Sequence, residues 1–186
     1  LISAFSNSTA RLAGSKESLK LKIGNTIKPL KAAMDHSIKV GANYVNSRYA
    51  HLEAIKDDFD TCLLTNELGD VTESGGSNIF FHTDTSLNTP LIDSNILAGI
   101  TRDTILKISK YLEIDSKECI VKRDRLADYQ GAFLCGTSMR IKPISQINGQ
   151  IYPNDSKIFR NIKDTYNNIL YLKSSYSFSK DWHTAI

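Results

Sequence analysis

Val71-Thr72-Glu73-Ser74-Gly75-Gly76-Ser77-Asn78-Ile79-Phe80-Phe81 is the most informative segment of this chain. An acid closes a short apolar strand, small residues turn the chain, and a second apolar strand opens at Asn78. A carboxylate in such a place calls for a buried cationic or hydrogen-bonding partner. The plain alternative is a solvated acid ahead of a turn.

Working outward, the chain alternates short strands with a few helices. Upstream, Ser18 to Ile23 alternates polar and apolar residues and reads as a strand, broken by Gly24-Asn25-Thr26. Ile27 to Val40 gives no clear pattern, and Pro29 argues against a long helix through it. Asn43 to Asp58 predicts a helix with Tyr44, Ser47, Ala50 and Ala54 on one face; Thr61 to Thr65 predicts a strand. Downstream, a turn precedes Leu87 to Pro90, and Thr101 to Leu112 predicts a helix that Thr101 can cap. Glu118 to Val121 reads as a strand, Arg125 to Tyr129 as a helical turn, and Ala132 to Cys135 as a buried strand. Asn148-Gly149 marks a hairpin between Ile141 to Ile147 and Gln150 to Tyr152. Asp155 to Leu172 predicts a long helix with Ile158, Ile162, Tyr166, Ile169 and Leu170 inward; the tail around Trp182 is irregular. Strands outnumber helices and pair locally, so the fold class is α+β.

Composition narrows the function. At 186 residues the chain can bury a core as one domain. A net charge of +3, scattered and without aromatic interleaving, gives nucleic-acid binding little support. No apolar run is long enough to span a bilayer, and no signal peptide is evident, although the true N-terminus is not assured by a chain opening on Leu1. Cys62, Cys119 and Cys135 lie far apart beside apolar strands and read as free thiols, which fits a reducing cytoplasm. The four histidines show no metal-ligand spacing, so no metal is expected.

Four blocks carry more than composition does. They are Ile38-Lys39-Val40-Gly41-Ala42-Asn43-Tyr44-Val45-Asn46-Ser47, the stretch around Glu73, Leu97-Ala98-Gly99-Ile100-Thr101-Arg102-Asp103, and Gly136-Thr137-Ser138. In this order they resemble the fold-type IV pyridoxal-phosphate enzymes, and within them the branched-chain amino-acid aminotransferases. The resemblance implies the large C-terminal cofactor domain of that fold, with open or pseudo-barrel sheets and packed helices. It places the end of an interdomain connection at residues 1–17 and the cofactor domain at 18–186. Ser6-Asn7-Ser8-Thr9 looks like part of that connector, and a small N-terminal domain is expected ahead of Leu1.

The resemblance also assigns roles. Lys39 would bind the cofactor aldehyde as a Schiff base and shuttle the substrate proton. Taken alone, Lys39 between Ile38 and Val40 is a weak signal, since an outward strand residue reads the same way. A Schiff-base lysine has to lose its proton near neutral pH, which burial promotes. Glu73 would hold the ring nitrogen and Tyr44 the phenolic oxygen. Ile100 and Thr101, at a helix start, would hold the phosphate; a simple cap is the local alternative. Thr137 would add a hydroxyl to the phosphate, and Gly136, Thr137 and Ser138 would meet the substrate carboxylate.

The sequence departs from the family at Ala42, usually Gly, at the segment Leu126 to Gly131, and at Met139-Arg140, which puts substrate preference in doubt. The expected activity is transfer of an amino group between an amino acid, branched-chain by the resemblance, and a 2-oxo acid such as 2-oxoglutarate, by a full-length homodimer. D-amino-acid aminotransferase, aminodeoxychorismate lyase and a non-catalytic fragment of the same fold are the alternatives. The chain by itself is expected to fold yet transaminate poorly, because the family's N-terminal domain contributes to the phosphate and substrate sites.

Overall fold

The structure is a computed structural model that describes residues 16–153, 156–171, 173 and 176–182. The connector Ser6 to Thr9, the helix ends expected at Asp155 and Leu172, and most of residues 1–17 lie outside the described residues.

Among the described residues ten strands form one mixed sheet. They are β1 (Leu19–Lys22), β2 (Thr61–Thr65), β3 (Asp70–Ser74), β4 (Asn78–His82), β5 (Ser86–Pro90), β6 (Asp115–Cys119), β7 (Val121–Lys122), β8 (Gly131–Gly136), β9 (Arg140–Ile147) and β10 (Gln150–Ile151). The sheet runs β6-β5-β4-β8-β9-β1-β2-β3-β7, with β10 added on β9. Its two ends, β6 and β7, are separated in the chain by Ile120 alone. The sheet therefore curls until its edges meet, which makes it a pseudo-barrel. That closure splits the strand expected at Glu118 to Val121, because the chain leaves one edge there and joins the other.

Period-two alternation sorts the side chains to the two faces. Ile79, Phe81, Ala132 and Leu134 join Leu19, Leu21, Leu63, Val71 and Ile144 in one core. Phe80, Phe133 and Cys135 point the other way, into a second core under the helices. Phe80 and Phe133 stack there with centroids 5.3 Å apart.

Among the described residues three α-helices cover the outside: α1 (Tyr44–Lys56), α2 (Ile100–Tyr111) and α3 (Lys157–Leu170). Buried Ser47, Ala50 and Ala54 lay α1 against β2; their small size allows close approach. α2 and α3 pack on each other through Ile105, Ile108, Ile158, Phe159, Ile162 and Ile169. Burial of each such side chain is worth roughly 1.5–3 kcal/mol. Ser156 caps α3, its hydroxyl accepting from Phe159 N at 3.0 Å. Leu170, expected inward, is 42% exposed; Phe159 and Thr165 are buried instead. Asn148 and Gly149 have φ of 46° and 92°, as the tight hairpin turn requires.

Candidate functional site

Glu73 lies near the end of β3, where the pairing with β2 shifts register. It is buried. Lys28 Nζ forms an ion pair with its Oε1. Oε2 accepts from Asn78 Nδ2 at 3.0 Å and from Leu97 N at 3.2 Å. Burial pushes the Glu73 carboxyl above its ordinary value, while Lys28 and the Leu97 amide oppose the shift. Burial also pulls the Lys28 ammonium down, against the attraction of Glu73.

Lys28 is the lysine that the unreadable segment concealed. It is 2% exposed, and its Nζ also donates to Asn95 O at 2.8 Å. Its backbone N donates to Thr65 O at 2.8 Å. Asn95, held in a left-handed conformation with φ 65°, donates from Nδ2 to Pro29 O at 2.5 Å. Asn78 likewise uses both amide protons, the second on Leu97 O at 2.9 Å. Asn95 Oδ1 is buried on this floor without a hydrogen-bond partner.

The floor opens into a cavity of about 280 Å³. One wall is the N-terminus of α2. Gly99 precedes it, so the first amides of the helix have no partner within the helix. A Cβ at Gly99 would collide with Asn78 Oδ1, so this close approach requires glycine. Arg102, although next in the chain, turns away: its Nη2 donates to Pro90 O at 2.8 Å and Glu118 at 2.6 Å. Any anion held here would therefore meet amides and hydroxyls first. Facing this wall are Gly136 and Thr137 at the end of β8, and Gly75, Gly76 and Ser77 between β3 and β4. A Cβ at Gly75 would lie 3.3 Å from Cys62 Sγ and 3.4 Å from Ser47 O, so the turn rests directly on α1 and β2.

Lys39 lies on the rim. The structure corrects the expectation of burial: Lys39 is exposed, as are Ile38 (55%) and Val40 (45%), and the segment is a loop rather than a strand. The loop is nonetheless tied down. Asn43 Nδ2 donates to Asp35 O and Ile38 O, each at 2.8 Å. One turn later Asn46 Nδ2 donates to Ile27 O at 2.8 Å. Two asparagines at the start of α1 thus hold the segments that carry Lys39 and Lys28. Tyr44 is half-buried, and burial followed by the charge of Glu73 raises its hydroxyl above the ordinary value. His36 is buried on the same cavity with no partner for Nε2.

Lys39, Tyr44, Glu73, Ile100, Thr101, Gly136 and Thr137 all line this cavity. Ser138 does not; it lines a neighbouring groove with Met139 and Arg140. Thr101 is not the cap of α2. The helix starts at Ile100, no side chain caps it, and Thr101 is buried in its first turn. Sequence reasoning missed Lys28, His36 and Asn95. Asn78 was visible only as the start of a strand. Lys28 and Asn95 have no local signal, because each owes its position to partners far away in the chain. No metal-binding cluster of His, Cys, Asp and Glu exists among the described residues. The free thiols Cys62 and Cys135 are buried and Cys119 is half-buried, and burial pushes Cys62 up to about 11.

Comparison with known proteins gives the chain a family. Residues 2–147 match the family model described as amino-transferase class IV. A probable branched-chain-amino-acid aminotransferase of Synechocystis is 33% identical over 125 residues, covering 67% of this chain and 41% of the relative. Two solved structures of the branched-chain amino acid aminotransferase of Thermobaculum terrenum are also similar. An M4 mutant superposes with TM-score 0.85 at 32% identity, over 92% of this chain and 57% of that one. The PLP-form (holo-form) gives TM-score 0.82 at 33% identity, over 87% and 54%. The chain thus spans less than half of that curated relative and little more than half of those solved chains.

Proposed function

The chain belongs to the class IV aminotransferases. From that premise we propose that it is the cofactor domain, residues 18–186, of a pyridoxal-phosphate transaminase. The reaction is transfer of the amino group of a branched-chain amino acid to a 2-oxo acid such as 2-oxoglutarate. The observation that carries this reading is the convergence of an acid, an amine and a helix N-terminus on one cavity.

Pyridoxal phosphate, when bound, supplies an electron sink for the pair left on the substrate α-carbon as its proton departs. The residues present suit it. A carboxylate offers about four acceptor positions, and three on Glu73 are filled by chain donors, so one remains for a ring N–H. Tyr44 offers its hydroxyl to the phenolic oxygen. The amides of Ile100 and Thr101 and the hydroxyls of Thr101 and Thr137 suit a phosphate. Gly136 and Thr137 suit a substrate carboxylate; Ser138 would act from the edge of the neighbouring groove. Lys39 Nζ would be the amine offered to the cofactor aldehyde and the base for the α-proton of the substrate.

An amine does this unprotonated, and Lys39 lies open on the rim. Enclosure of the rim is therefore part of the proposal. Ile38, Val40 and the α1 residues Val45, Tyr49 and Leu52 are exposed apolar side chains. They support burial against a second copy in a homodimer or against a small N-terminal domain. The free thiols fit a cytoplasmic protein. No helix among the described residues is long and apolar enough to cross a membrane.

Borohydride reduction in the presence of the cofactor, followed by peptide mapping, is expected to label Lys39. A label elsewhere, with Lys39 clean, overturns the assignment. A coupled assay with leucine, valine or isoleucine and 2-oxoglutarate is expected to show turnover that Lys39→Ala abolishes. Sedimentation that finds an active monomer contradicts the dimer.

A further inference from the structure

Beyond the roles already assigned, we propose that Lys28 is a positioning residue that sets how firmly Glu73 holds the proton on the cofactor's ring nitrogen. The inference rests on the cofactor reading above and goes past it, since Lys28 belongs to none of the blocks that carried the resemblance.

The first argument is fixity. Lys28 Nζ is bound at once to Glu73 and to Asn95 O. The backbone around it is held at three points: Lys28 N on Thr65 O, Ile27 O on Asn46, and Pro29 O on Asn95. A surface lysine that had met an acid by chance would not be 2% exposed with its main chain pinned on both sides. Lys28 therefore stays in place when a ligand enters the cavity.

The second argument is acceptor counting. Oε2 of Glu73 is saturated by Asn78 and Leu97, and Lys28 takes one of two positions on Oε1. A ring N–H has one place to go, and it shares its oxygen with an ammonium. Two cations on one carboxylate oxygen divide its charge, so each is held less firmly than it would be alone. Other groups that act on this pair are Arg102 through space on Glu73, the Tyr44 hydroxyl, the buried Cys135 thiol, and His36 beside Lys28. None of these four makes a hydrogen bond to the carboxylate.

The consequence is a ring nitrogen less firmly protonated than a lone buried carboxylate would make it. The electron sink is thereby tuned by a residue that acts through Glu73.

The test uses pyridoxal phosphate labelled with nitrogen-15 in the ring, bound to wild type, Lys28→Met and Lys28→Arg. Lys28→Met is expected to move the ring resonance toward that of a protonated pyridinium, and Lys28→Arg to leave it near wild type. A wild type that binds while Lys28→Met gives the same resonance overturns the inference alone. A wild type that leaves the label at its free position removes the cofactor reading, and the inference with it.

Stability without the cofactor is the second measurement. Lys28→Met is expected to lower the melting midpoint by roughly 6–20 °C. The double variant Lys28→Met with Glu73→Gln is expected to regain much of that loss, because no buried charge is then left alone. If Lys28→Met does not fold and the double variant does, the pairing is supported. If neither folds while Glu73→Gln alone does, Lys28 acts through something other than Glu73 and the proposal falls.

Discussion

Glu73 and Glu53 each receive three donors, a lysine and a backbone amide among them, and respond in opposite ways. Glu73 takes a lysine, a backbone amide and a side-chain amide. Glu53, on α1, takes Lys22 at 3.3 Å, Asn25 N at 3.3 Å and the Thr26 hydroxyl at 3.4 Å. The Glu53 carboxyl is pulled below its ordinary value, chiefly by the Asn25 amide. The Glu73 carboxyl is pushed above it by burial, in spite of its partners. Partners alone therefore do not decide how an acid titrates. Loss of water outweighs three donors at the cavity floor, and at the solvated end of α1 there is little water to lose. A perturbed acid of the first kind, on a cavity, is the kind that chemistry can use.

The largest effect expected is from Glu73→Ala. It leaves the Lys28 ammonium buried against Asn95 O alone, and breaking such a pair costs about 3–5 kcal/mol. Denaturant unfolding measures it. A loss below about 1 kcal/mol would mean that the floor is not the preformed unit described here.

The rim comes next. Asn43→Ala removes two hydrogen bonds of 2.8 Å that hold Asp35 and Ile38, a cost of roughly 1–2 kcal/mol. Limited proteolysis should find new cleavage between residues 35 and 40. An unchanged digestion pattern would show that the loop of Lys39 is held by something else.

Glu53→Gln tests the outer acid. Its bonds are long and its side chain partly exposed, so the cost at neutral pH is at most about 1 kcal/mol. The two acids should then differ in sign with pH. The lowered value of Glu53 gives stability above its ordinary 4.5 that is lost as pH falls through the folded value. The raised value of Glu73 favours the folded state below its ordinary 4.5, a contribution lost as pH rises through the folded value. The wild-type advantage over Glu53→Gln should shrink on acidification, and that over Glu73→Gln should grow. Parallel trends in the two variants would break the comparison.

Lys39→Ala should change stability least, within about 0.5 kcal/mol, because the side chain is exposed. The same variant should lose all borohydride labelling. A large stability loss would show that Lys39 packs within the fold and is not free on the rim.

Much of the architecture is written locally and was legible. The hairpin follows from Asn148-Gly149, the inward stripe of α3 from Ile158, Ile162, Tyr166 and Ile169, and the buried strand β8 from its unbroken apolar run. Each depends on residues within a few positions of one another, where backbone geometry fixes which side chains share a face. The blocks around Lys39, Glu73, Thr101 and Thr137 pointed to the family and to one site for the same reason: each is a short contiguous motif. Closure of the sheet had no local signal and came only from the resemblance, because β6 and β7, one residue apart in the chain, lie at opposite ends of the strand order.

Burial is where the sequence by itself stopped. Lys39, flanked by Ile38 and Val40, is exposed, while Lys28, beside Pro29 in a segment without pattern, is buried. The chain determined that an acid, an amine and a helix start would be present at those positions. The tertiary structure decided that Glu73 pairs with a lysine 45 residues earlier in the chain, that Ser138 faces a separate groove, and that Thr101 is not a cap. A lysine's neighbours in sequence fix its backbone, but the water it keeps depends on which distant strands and loops close over it.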